Sequence, residues 1–133
     1  MRPYVHHEVS SRLTRLVFEM RRSVRGPDPD AVHDLRVAIR RFLQSLRVFH
    51  DFFPRREVKR VRRRLREMLD SAAEVRNRDI ALDLCRQAGA PAGAALSVRL
   101  ARERATAVQT FAEVVKRLME RDVAAHWRSR LEL

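Results

Sequence analysis

Only three glycines and five prolines interrupt the 133 residues. That scarcity constrains the fold more than any other feature, because each strand-to-strand turn usually needs such residues. Between the few breaks, apolar residues recur every three or four positions. Val9, Leu13, Leu16, Val17, Met20 and Val24 predict a first helix over about 5–25. GPDPD at 26–30 ends it, with Asp28 placed to cap the next helix and Pro29 at its first position. Val32, Leu35, Ile39, Phe42, Leu46 and Phe49 form the seam of a second helix, about 29–52, before Pro54.

Val58, Val61, Leu65, Met68 and Leu69 carry a third helix over about 55–72. A short fourth, 72–89, closes at Gly89 and Pro91. Leu96, Leu100, Val108, Phe111, Val115 and Leu118 predict one long last helix over about 93–131, with no strong break before Asp122. The expected fold is all-α: an antiparallel four-helix bundle with an additional or extended C-terminal helix, in one domain spanning 1–133. The length suffices to bury a real core.

Charge narrows the function. Twenty-nine basic residues stand against 17 acidic ones, a formal net charge of +12. Only Lys59 and Lys116 are lysines. Codon bias can favour arginine over lysine, but it does not create an excess of positive charge. A polyanionic partner is the physical expectation, and arginine's planar fork suits phosphate oxygens. Cys85 is the single cysteine, so no internal disulfide can form and a reducing compartment is expected. The N-terminal MRPYVHHEVS has no secretory apolar segment and no run suits a membrane span, which makes cytoplasm the expected location.

The charge is patterned. At 100° per residue, His33, Arg36, Arg40, Gln44 and Arg47 occupy roughly an 80° sector of the second helix, and its apolar seam is centred about 130° away. On the third helix Lys59, Arg62, Arg63 and Arg66 cluster on one side. If the short loop between these helices makes them antiparallel, the two stripes form one basic trough. Such stripes also occur as ordinary solvated faces over a seam.

Catalytic patterns are absent: there is no Ser–His–acid order, no glycine-rich phosphate loop and no H-E-x-x-H. Adjacent His6 and His7 point about 100° apart on a helix, and no cysteine–histidine cluster accompanies them, so neither metal nor cofactor is expected. For RNA or DNA, aromatics interleaved with basic residues would be expected. Aromatics are 6% of the chain, and Phe42, Phe49 and Phe111 fall on apolar seams. A purely structural or interaction bundle is the third class.

VHDLRVAIRRFLQSLRVF at 32–49 resembles a motif of the CHAD domain family, the conserved histidine α-helical domains. That motif runs H-x-x-R-V-x-x-R-R-x-R-x-x-L-x-x-F. His33, Arg36, Val37, Arg40, Arg41, Leu46 and Phe49 fall on it in register, and Leu43 replaces an arginine. The family's second motif, L-G-x-V-R-D-x-D-V, is matched at Val75, Arg76, Asp79 and Ile80. There Ala73 replaces the glycine, and Asn77-Arg78 replaces an acid and an apolar residue.

The resemblance covers roughly residues 5–120. It implies an all-helical domain that binds inorganic polyphosphate through a basic surface. With no catalytic pattern in the chain, binding without catalysis is expected, in the cytoplasm, where polyphosphate granules are one conceivable place. It makes His33, Arg36 and Arg40 phosphate ligands. Arg41, Arg47, Lys59, Arg63 and Arg76 join them with support from the charge pattern. Arg76 stays open between ligand and structural partner of Asp79 or Glu74. Members of the family commonly carry two related helical halves, and this chain resembles the first: HWRSRL at 126–131 lacks the spacing of a second histidine–arginine helix. A homodimer supplying the second half is a further expectation.

Overall fold

The structure, a computed structural model, describes residues 1–133 as five α-helices and no strand. They are α1 (Arg2–Arg25), α2 (Pro29–Val48), α3 (Arg55–Gln87), α4 (Ala95–Glu120) and α5 (Val123–Arg130), with a 3₁₀ turn at His50–Phe52. The all-α expectation holds. Helix α1 packs on α2, α2 on α3 and α3 on α4, while α5 returns against α1 and α4.

The α1–α2 junction forms as its residues dictate. The Asp28 carboxylate accepts from the Ala31 amide at 2.9 Å, Pro29 occupies the first turn, and Asp30 adds negative charge there. Such a cap contributes about 1 kcal/mol. The seams then meet in one cluster of 25 buried apolar residues. Val9, Leu13, Leu16 and Met20 enter from α1, Leu35, Ile39, Phe42 and Leu46 from α2, and Val61, Leu65 and Met68 from α3.

Two element boundaries differ from the sequence expectation. No break falls near residue 72: α3 is a single helix of 33 residues, because Ala72 and Val75 continue its buried stripe. At 1.5 Å per residue it is about 50 Å long against about 30 Å for α2, so its distal part outruns the α1–α2 layer. No residue of α3 beyond Val75 is buried. Arg104 anchors this extension by pairing with Asp79 and donating to the Pro27 carbonyl at 2.7 Å. Consequently Leu96 and Leu100, expected on the core seam of the last helix, stay partly exposed.

The second difference is a break at Asp122. Its backbone is left-handed (φ 46°, ψ 56°), a conformation aspartate tolerates better than most residues. Helix α4 stops there and α5 folds back, burying Val123, Trp127 and Leu131. Trp127 stacks on Phe42 with ring centroids 6.2 Å apart, and Arg128 donates to the Thr14 hydroxyl at 2.7 Å. No helix is long and apolar enough to cross a membrane.

Candidate functional site

Helices α2 and α3 run antiparallel along their shared flank. His33, near the start of α2, meets Arg76 far along α3, with Nη1 to Nδ1 at 3.3 Å. At the other end, Arg47 of α2 shares a cleft with Lys59 and Arg62 of α3. The two basic stripes therefore meet along one α2–α3 flank, called the trough below, with the His33 and Arg47 turns about 20 Å apart.

Carboxylate pairing is uneven over the surface. Several arginines elsewhere have carboxylates: Arg12 has Glu8, Arg22 has Glu19 and Asp34, Arg78 has Glu74, Arg104 of α4 has Asp79 and Arg130 has Glu57. None of Arg36, Arg40, Arg47, Lys59, Arg62 and Arg76 forms such a pair. Arg36 is the most constrained. Its Nε is buried and has no hydrogen-bond partner. Burial first, then the neighbouring charges of Arg40 and Arg76, depress its pKa below the usual arginine value. An unsatisfied buried donor costs about 1–3 kcal/mol.

The sequence-level ambiguity at Arg76 is resolved in its free form. Asp79 is taken by Arg104 and Glu74 by Arg78, so Arg76 is not their partner. It is half-buried and turned to α2. A guanidinium can only donate, so the His33 Nδ1 accepts and the ring proton sits on Nε2 in this arrangement.

The family model described as CHAD domain matches residues 9–132, nearly the whole chain. The chain belongs to the CHAD domain family. The match runs past the 5–120 expected from the motifs and takes in α5. No curated protein and no solved structure matched the chain. The first CHAD motif is the length of α2, and the second lies inside α3 rather than opening a new helix. The His33–Arg76 contact is where the two motifs meet.

The structure does not gather every residue expected at this CHAD surface. Arg41 lies on the α1 side of α2, in a pocket of about 310 Å³ shared with Arg12, Arg15, Glu19 and Asp34. Acids are mixed in there, so it is not purely basic. His33 reaches the rim of that pocket as well. Arg63 is not in the trough: it borders a cleft on the opposite flank of α3, beside α5. Lys59, Arg62 and Arg63 share a helix arc, but the trough requires the α2 side of that arc, which periodicity alone does not locate. Arg62 shares the distal cleft with Arg47 and Lys59. It lies between the two motifs, and only its place on the α3 stripe signals it.

Proposed function

We propose that this CHAD domain binds inorganic polyphosphate along the α2–α3 trough and has no catalytic activity of its own. One observation carries the reading: a row of cations with no carboxylate partners along the α2–α3 flank, which includes Arg36 with its unsatisfied Nε. An extended, repeating anion matches a row about 20 Å long better than a compact one does. The family's association with polyphosphate supports the same reading. His33, Arg36, Arg40 and Arg76 form its proximal end. Arg47, Lys59 and Arg62 form its distal end. Neutralising these charges together relieves their mutual repulsion and releases counterions.

Nucleic acid is the competing polyanion. Single-strand binding relies on exposed rings for stacking. Phe53, the one aromatic ring lining the distal cleft with Arg47, Lys59 and Arg62, is 6% exposed, which favours a base-free phosphate chain. The test is a titration of long-chain polyphosphate, RNA and duplex DNA at about physiological salt. The expected result is tightest binding of polyphosphate, lost in Arg36→Ala/Arg40→Ala while the melt remains cooperative. Equal affinity for all three anions would reduce the trough to generic electrostatics.

A further inference from the structure

On the opposite flank of α3 lies a second cleft, about 570 Å³ in volume, between the proximal half of α3 and the α4–α5 corner. The left-handed Asp122 creates it by turning α5 back. Its floor is apolar: Val61, Leu118, Val123 and Trp127 are each at most 6% exposed. Its rim carries Arg60, Arg63, Arg64, Arg121 and Arg130, plus His126, against the single carboxylate Glu57.

The ion pairs leave much of that charge unanswered. Glu57 is shared between Arg60 at 3.8 Å and Arg130 at 3.3 Å. Arg64 reaches Glu67 at 3.4 Å. Arg63 and Arg121 are exposed, border the cleft and have no carboxylate partner. A guanidinium rim above a dry, low-dielectric floor attracts a multivalent anion more strongly than the same charges on an open surface.

We infer that this α3–α5 cleft is a second anion site, separate from the trough, that takes a compact multiply charged phosphate held by Arg63 and Arg121. The shape favours a compact ligand, because the rim arginines surround a cavity instead of lining a row. The inference stands on the cleft's own lining, so it survives or fails independently of the trough.

Trp127 is the chain's single tryptophan and forms part of the cleft floor, so its emission reports on this site. Inorganic tripolyphosphate is the probe, titrated into the full chain. The expected result is a saturable change in emission, with its midpoint raised at least tenfold in Arg63→Ala/Arg121→Ala and within twofold of the parent in Arg36→Ala/Arg40→Ala. Neither Arg63 nor Arg121 is buried or paired, so a melt of the double variant is expected to match the parent and to exclude misfolding. The inference is overturned by an unmoved emission, by an equal response to sodium chloride at matched ionic strength, or by a midpoint that Arg63→Ala/Arg121→Ala leaves in place. A midpoint that shifts equally in Arg36→Ala/Arg40→Ala also overturns it, since the two surfaces would then be one site. Failure of the trough reading has a different mark: long-chain polyphosphate binding unaffected by Arg36→Ala/Arg40→Ala.

Discussion

Arg76 on α3 donates from Nη1 to the Nδ1 of His33 on α2 at 3.3 Å, joining residues 43 positions apart, and neither has a carboxylate partner. The contact leaves the His33 Nε2–H directed away from Arg76, and His33 is exposed. One residue orients the other, and both retain donors for an incoming oxygen. The contact joins no opposite charges, so it contributes little to stability.

Removal of Arg76 separates the two roles left open by its sequence. Arg76→Ala is expected to change stability by no more than about 0.5 kcal/mol, as for a residue without a structural partner, and to weaken polyphosphate binding. Arg104→Ala is expected to do the reverse. It strips Asp79, whose side chain is 14% exposed, and frees the Pro27 carbonyl. A loss of about 1–3 kcal/mol follows from those unsatisfied groups. Chemical denaturation and polyphosphate titration of both variants check the contrast.

Much of this was legible from spacing. Val32, Leu35, Ile39, Phe42 and Leu46 were placed in the core by periodicity, and all five are buried. Asp28 was placed as a cap and is one. The antiparallel meeting of the two stripes followed from their spacing and a short loop. What spacing could not supply was the side of α3 that meets α2, which depends on rotation about the helix axis and misassigned Arg63. The continuation of α3 through residue 72 was hidden for a related reason. AAEVRNRD has few apolar residues, and the two that matter, Ala72 and Val75, are small. The Asp122 break has no glycine or proline to mark it and arises from the burial of Trp127 and Leu131.

Arg36 is expected to be kept at a cost to the free protein. Its folded pKa is depressed, so the charged form is disfavoured on folding at any pH below that value, which includes neutral pH. Arg36→Met retains the apolar stem and removes the charge. The ligand-free variant is expected to melt no lower than the parent, and to lose polyphosphate affinity. Thermal melts with and without polyphosphate read both effects: the ligand raises the melting temperature of the parent more than that of the variant.

Placement, rather than total charge, is expected to govern salt dependence. Arg47 borders the distal trough, whereas Arg102 is an exposed arginine of α4 with no carboxylate partner. Arg47→Ala and Arg102→Ala lower the net charge equally. By analogy with phosphate contacts in nucleic acid, loss of one contacting cation lowers the slope of log affinity against log salt by about one. Arg47→Ala is expected to show that decrease and Arg102→Ala none. Binding isotherms at four or more salt concentrations measure the slopes, and equal slopes for the two variants would count against a localised trough.

The trough and the α3–α5 cleft share one internal support, the Phe42–Trp127 stack. Phe42 is fully buried on the face of α2 opposite His33, and Trp127 of α5 is 4% exposed. Phe42→Ala removes a large buried ring and leaves a cavity against Trp127, at a cost of about 3–5 kcal/mol. Phe42→Leu retains most of the volume and is expected to cost about 1–1.5 kcal/mol. In both variants Trp127 emission is expected to shift to longer wavelength in the native baseline, more for alanine, because the loosened α5 admits water. Denaturant melts followed in parallel by helical circular dichroism and by Trp127 emission test this. Coincident transitions indicate that α5 belongs to the same cooperative core as α2. An earlier emission transition would show that α5 detaches first, and the α3–α5 cleft would then open before the trough is lost.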